Sequence, residues 1–168
     1  MTWAHTIVDT LKLADISLIA YVPDISIHQA TSLMVDDPDF HVVPCTREEE
    51  AIGIAVGAYA AGRRSAVFMQ SSGLGNCINA ITSLCIPCRI PIPLFINMRG
   101  DLGEFNIAQV AMGRATKPLL DILRLPHYTL TEQRELDTIV KGALNLCYAS
   151  REPVAICMTS LLHRGQLA

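Results

Sequence analysis

The sequence predicts an α/β protein, three layers deep (α/β/α), built on a parallel and roughly six-stranded sheet. Three observations predict it. Short apolar runs rich in Val, Ile and Phe alternate with longer stretches of helical period. The short runs are continuously apolar, as strands covered on both faces are. Pro, Gly and Asp fall between the two kinds of segment as punctuation.

The elements follow in order. "WAHTIVDTLKLAD" (3–15) carries apolar residues near helical spacing, and "SLIAYV" (17–22) reads as a buried strand ended by Pro23 and Asp24. "ISIHQATSLMV" (25–35) is helical and "FHVVPC" (40–45) is a second strand. A small-residue helix, "TREEEAIGIAVGAYAAG" (46–62), follows, with Gly62 as its C-cap. "SAVFMQ" (65–70) is the third strand, "SSGLG" (71–75) a tight loop and "NCINAITSL" (76–84) a helix. "IPLFINM" (92–98) is the fourth strand. A long irregular stretch, "RGDLGEFNIAQVAMG" (99–113), has the length of a lid. Then come a helix in "KPLLDIL" (117–123), a short strand "HYTL" (127–130), a long helix (132–149) and a last strand "PVAICM" (153–158). No repeat, linker or low-complexity segment divides the chain, so residues 1–168 read as one domain.

Composition bounds the function. Hydrophobic residues make up 51% and charged residues 17%. Globular chains carry about 25% charged residues, so this one has apolar surface to spend on other subunits. No apolar run is long enough for a membrane span, and the start, "MTWAHTIVDTLK", lacks a signal-peptide layout. A net charge of −3 and the absence of a basic block argue against a nucleic-acid partner. The expectation is a cytoplasmic protein whose six cysteines are reduced. Cys85 and Cys88 form one CxxC, but no second pair completes a zinc site. A redox CxxC would follow a strand and open a helix, and this one follows a helix.

In parallel sheets, ligands bind beyond the carboxyl ends of the strands. Here those ends are 23–28, 44–50, 70–76 and 97–113. The three glutamates at 48–50 open the small-residue helix, and their side chains diverge by about 100° per residue. The face of Ile52, Val56 and Tyr59 extends back one turn to Glu48 and Glu49, so at least one carboxylate aims at a crowded surface. Thr46 and Glu49 also fit a capping box, and acids in a first turn suit the helix dipole. Capping and proton exchange with a ligand both fit this geometry.

At this point the sequence resembles a known family. "EEAIGIAVGAYAAG" (49–62) is similar to the pyrimidine-binding helix of thiamine-diphosphate enzymes. That helix carries a Glu, small residues, and an aromatic about ten residues on, usually preceded by Gly. Here the aromatic is Tyr59, and Ala58 stands before it where Gly is usual. "YVPD" (21–24) resembles the family's first strand and turn, with Asp24 where Gly is usual. "MQSSGLGNCINAITSL" (69–84) resembles the loop and helix after the third strand. "PIPLFINMRGD" (91–101) with "KPLLDILRLPH" (117–127) is closest to the sulfopyruvate and phosphonopyruvate decarboxylases, and the length matches an alpha subunit of the two-subunit type.

The resemblance implies a role for each site. Glu49 would hydrogen-bond the aminopyrimidine of thiamine diphosphate and so favour the tautomer that activates the thiazolium carbon for attack on a 2-oxo acid. Ser72 and Gly73 would line the cofactor. Asp24, His28, Gln70, Ser71, Asn76 and Arg99 would face a small anionic substrate, with Arg89, Arg114 and Lys117 as further cations. Each has a plainer reading: a strand-to-helix turn for Gln70–Ser72, a salt bridge to Asp101 or Glu104 for Arg99, a surface residue for His28. The family's diphosphate site uses Gly-Asp-Gly and a downstream Asn to hold a metal, and this sequence has no Gly-Asp-Gly. The resemblance therefore implies a diphosphate-binding beta subunit of similar size, holding Mg2+, with the cofactor across the interface. The activity implied is decarboxylation of sulfopyruvate, then of phosphonopyruvate, then of a plain 2-oxo acid or an acetolactate-type carboligation.

Two other classes compete. A dinucleotide-binding fold would need GxGxxG, and "SGLGNCI" has Ile78 at the third glycine. A chain with half a cofactor site could also be a non-catalytic scaffold.

Overall fold

The structure, a computed structural model, describes residues 2–163. Six strands form one sheet: β1 (Ile16–Tyr21), β2 (His41–Pro44), β3 (Arg64–Gln70), β4 (Pro93–Asn97), β5 (His127–Leu130) and β6 (Val154–Met158). Their order is β2-β1-β3-β4-β6-β5, and every pairing is parallel. The three-layer α/β/α expectation holds, and each strand falls within two residues of its predicted span. The burial pattern shows why. Every residue of β4 and β6 is buried, because helices cover both faces, while the edge strands β2 and β5 are only partly covered.

Six helices cover the sheet. On one face lie α1 (Trp3–Leu13), α2 (His28–Val35) and α6 (Gln133–Ser150). On the other lie α3 (Glu48–Ala60), α4 (Ser71–Ala80) and α5 (Ile107–Ile122). Alternate residues of each strand feed the two cores. Phe68 and Phe95 pack under α1 and α6, while Val67, Met69, Leu94 and Ile96 pack under α3 and α4. Phe68 and Phe95 are register partners on β3 and β4, and their rings stack with centroids 4.4 Å apart. Gly62, at φ +77°, closes α3 as expected, with the Arg63 amide donating to the Ala58 carbonyl at 2.8 Å.

Two expectations are corrected. "SSGLG" is not a tight loop but the first turn and a half of α4, which runs on through a π-helical turn at Ile81–Cys85. Glycine usually marks a break, but here it serves close packing inside a helix. Nor is 99–113 irregular throughout. Asn106 caps α5 by accepting from the Ala108 amide at 3.1 Å, so the helix starts at Ile107 and spans 16 residues. Pro118 sits inside it, where a proline is more often a first-turn residue, which is why the sequence reads as a helix starting near Lys117.

The sheet order puts a topological switch point between β1 and β3. From β1 the chain goes one way to β2 and then crosses to the opposite side for β3. The crevice above the carboxyl ends of these strands is where such folds take their ligands.

Candidate active site

Helix α3 starts beside that crevice, just after β2. Its buried face is Glu48, Ala51, Ile52, Ala55 and Ala58, at the i, i+3, i+4, i+7 spacing of one helical stripe. Alanines keep this stripe thin enough to lie close on β1 and β3. The stripe's first member is a carboxylate, 7% exposed. A buried carboxylate needs partners, and α4 supplies them. Asn76 Nδ2 donates to Glu48 Oε2 at 2.9 Å. Gly73 gives the side chain its room: a β-carbon there would lie 2.5 Å from Cγ of Glu48 and 2.6 Å from Oε1. Gly73 is thus required by contact, not by backbone conformation.

The three glutamates have three separate fates. Glu48 points inward. Glu49 is exposed and accepts from Arg47 Nε at 3.1 Å. Glu50 turns back over the helix start, its Oε2 accepting from both the amide and the hydroxyl of Thr46 at 2.9 and 3.0 Å. Those hydrogen bonds hold the Glu50 carboxyl below its ordinary range. Of Glu48 and Glu49, the two that the sequence leaves facing the crowded surface, Glu48 is the buried one, because a helical step of about 100° carries position 49 off the stripe. One expectation shifts by one residue: the carboxylate that reaches back to Thr46 is Glu50 rather than Glu49. The family pattern expects Gly before its aromatic; taking Gly57 as that glycine moves the register back by one residue, to Glu48, and puts Ala58 where the aromatic is usual.

The other predicted residues gather at the same edge of the sheet, with different partners. Gln70 ends β3, and Ser71, fully buried, begins α4. Ser71 Oγ accepts from the Arg99 amide at 2.9 Å, tying the loop after β4 to the first turn of α4. Ser72 is half-buried in that turn, next to Gly73. Asp24, after β1, accepts from the amide nitrogen of buried Asn97 at the end of β4. His28 lies on the exposed side of α2 within hydrogen-bond range of Ser32, away from the buried residues, as its surface reading anticipates.

Arg99 follows its plainer reading. Its Nε and Nη2 donate to Oε2 and Oε1 of Glu104 at 2.7 and 2.9 Å, a bidentate pair. The same carboxylate accepts from the amides of Gly100 and Asn106 at 3.1 and 2.9 Å. The guanidinium first, and those amides with it, pull the Glu104 carboxyl down to about 2. Arg99 is therefore engaged within the loop. Sequence reasoning did not single out Glu104 or Asn97 as site residues. Neither carries a motif, and only the tertiary contacts bring them to Arg99 and Asp24.

Cysteines around the site are thiols. Burial, then the charge of Glu48, pushes the Cys77 thiol up to about 12. All six cysteines are free, with Cys85 buried and Cys88 exposed. Among the described residues no group of three His, Cys, Asp or Glu side chains could hold a metal ion, and no helix is long and apolar enough to cross a membrane.

The chain is similar to several known proteins. Residues 1–95 match the thiamine pyrophosphate enzyme, N-terminal TPP binding domain family. The chain is 41% identical over 161 residues to the sulfopyruvate decarboxylase subunit alpha of Methanocaldococcus jannaschii, covering 96% of this chain and 95% of that one. It is 32% identical over 150 residues to the sulfopyruvate decarboxylase of Methanosarcina acetivorans, covering 89% of this chain but 38% of that longer one. A solved structure of 2-oxoglutarate:ferredoxin oxidoreductase from Magnetococcus marinus superposes with a TM-score of 0.74. That match covers 97% of this chain and 29% of the other, and at 12% identity it is a likeness of fold.

Proposed function

The chain belongs to the thiamine pyrophosphate enzymes, through their N-terminal TPP binding domain, and on that premise we propose that it is the pyrimidine-binding alpha subunit of a 2-oxo acid decarboxylase acting on sulfopyruvate. The products are sulfoacetaldehyde and carbon dioxide. The observation that carries the reading is Glu48: a buried carboxylate at the start of a small-residue helix, beside the switch point, with a glycine cleared against it.

The residues fit the cofactor's aminopyrimidine. Thiamine diphosphate, when bound, supplies a nucleophilic carbon and takes up the electron pair left when the carboxylate departs. Glu48 holds a proton for a ring nitrogen. Oε2 is already an acceptor for Asn76, which leaves Oε1, on the Gly73 side, as the oxygen for that proton. Gly73 and Ser72 line the slot. Asn76 fixes the carboxyl plane, and the thin face of α3 keeps water away from it. This assignment replaces Glu49 with Glu48 in the role the family resemblance implies.

The second half of the site belongs to a partner. The sequence has no Gly-Asp-Gly to grip a metal-bound diphosphate, and a similar protein is named as a subunit. We place that motif, with Mg2+, on a beta subunit, the cofactor lying between the two chains. Exposed Ile25, Leu102, Phe105 and Ile107 ring the same edge of the sheet, a pattern expected of surface that another chain covers. Six free cysteines suit a reducing, cytoplasmic setting.

Native mass spectrometry of the protein taken from its own cells in magnesium-containing buffer tests this. A second chain with thiamine diphosphate bound, and turnover of sulfopyruvate by that complex, is the expected result. A homo-oligomer with neither partner nor cofactor contradicts it.

A further inference from the structure

Between the loop after β4 and the first half of α5 lies a cleft of about 540 Å³, lined by Met98–Leu102, Glu104, Val110, Gly113, Arg114 and Lys117. It opens at the carboxyl edge of the sheet, and its walls are tied to α4, the helix that carries Gly73. The Arg99 amide is bound to Ser71, two residues before the glycine against Glu48, and Met112 on α5 lies where a β-carbon on Gly75 of α4 would touch it. The cleft's walls are closely packed. A β-carbon on Gly113 would fall 1.9 Å from the Arg99 carbonyl oxygen, and one on Gly100 would fall 2.6 Å from the Gln109 carbonyl oxygen. Loop and helix therefore meet backbone to backbone, which the two glycines alone permit.

The charges on these walls are unequally spent. Arg99 and Glu104 neutralise each other. Exposed Arg114 and half-buried Lys117, about one helical turn apart on α5, form no ion pair with any described residue. Asp101 is the remaining acid, and it is exposed at the rim. A closely packed cleft with two unspent cations, at the same edge of the sheet as a site for a 2-oxo acid, is matched to a second, permanent anion on the substrate.

We infer that Arg114 and Lys117 bind the sulfonate group of the substrate and set the preference for a dianionic 2-oxo acid, an inference that rests on the decarboxylase reading above. Arg99 is the less available cation, because Glu104 already engages its Nε and Nη2. It shapes the cleft instead, holding the loop against Glu104.

The test uses the complex with its partner subunit and compares wild type with Arg114→Gln, Lys117→Gln and Arg114→Lys. Two quantities are measured: KM and kcat for sulfopyruvate, and the calorimetric Kd of 3-sulfolactate, which has no keto group to react. Each charge-removing variant is expected to raise both KM and Kd by about tenfold or more, the loss of one charge-assisted contact, with kcat within about threefold. Arg114→Lys is expected to keep most of the affinity. Unchanged KM and Kd in both charge-removing variants, or a fall in kcat with KM unmoved, would overturn the inference while leaving the decarboxylase reading intact. A wild-type complex that ignores sulfopyruvate but decarboxylates another 2-oxo acid would defeat the substrate reading itself, and the inference with it.

Discussion

Asn76 Nδ2 donates to Glu48 Oε2 at 2.9 Å, joining α4 to α3 across 28 residues of sequence. The bond pins one oxygen of a buried carboxylate and leaves the other facing Gly73. It makes the start of α3 a fixed, buried carboxylate position rather than a solvated helix end.

Gly73→Ala tests the room beside that carboxylate. The added methyl would overlap Cγ, Cδ and Oε1 of Glu48. Since the obstructed atoms belong to a side chain, the fold is expected to survive while Glu48 is displaced. Thiamine diphosphate titration of the assembled complex is expected to show its KM raised by about tenfold, roughly 1.4 kcal/mol. A KM equal to wild type would place the cofactor elsewhere.

Gly113→Ala tests a different kind of contact. Here the obstructing atom is the Arg99 backbone carbonyl, which cannot swing aside. Thermal unfolding is expected to show a loss of about 3 kcal/mol, or roughly 6–12 °C in Tm. Gly57→Ala on α3, exposed and with open space around its β-position, is the control and should leave Tm unchanged or raise it by about 2–4 °C.

Glu104 makes stability depend on pH in a definite window. Its carboxyl titrates near 2 when folded, against an ordinary 4.5. A depressed carboxyl stabilises the fold fully above about pH 4.5, and that share is lost as pH falls toward 2. Glu104→Gln leaves Arg99 without its partner and is expected to cost about 1–2 kcal/mol at pH 7, with the difference from wild type shrinking below pH 4.5. Denaturant titrations at pH 7 and pH 3 check the sign.

His163 acts in a neighbouring window. Its ring is 2% exposed, packed edge-on to Trp3 at 4.7 Å, with neither nitrogen hydrogen-bonded. Burial lowers it from an ordinary 6.5 to about 4, against a small opposing effect from Asp24. The neutral ring is favoured in the fold, so its stability share is full above pH 6.5 and falls as pH drops toward 4. His163→Phe is expected to flatten the stability profile between those limits. A profile unchanged from wild type there would show that the ring is not buried in solution.

Much of this fold was legible because burial on both faces leaves a plain mark. "PLFIN" and "VAICM" are apolar at nearly every position, and both are central strands. The α4 start was not legible, since Gly73 and Gly75 read as a turn and the reason for Gly73 is a side chain 25 positions earlier. The one-residue displacement from Glu49 to Glu48 has a similar origin. Three adjacent identical side chains carry no local distinction, and what separates them is which one continues the stripe of Ala51, Ile52 and Ala55. Arg99 was readable as either a ligand or an ion-pair partner. The ion pair depends on Glu104 folding back, supported by the amides of Gly100 and Asn106, which no local pattern announces.

The most direct test of the account is a paired substitution in the assembled complex, Glu48→Gln against Glu49→Gln, with sulfopyruvate turnover and subunit assembly both measured. Glu48→Gln is expected to keep assembly and lose about 10²–10⁴-fold in kcat, because an amide cannot carry the proton. Glu49→Gln is expected to stay within about threefold, since only a surface ion pair is lost. The reverse ranking, with Glu49 essential and Glu48 dispensable, would contradict the assignment of the buried carboxylate as the cofactor's partner.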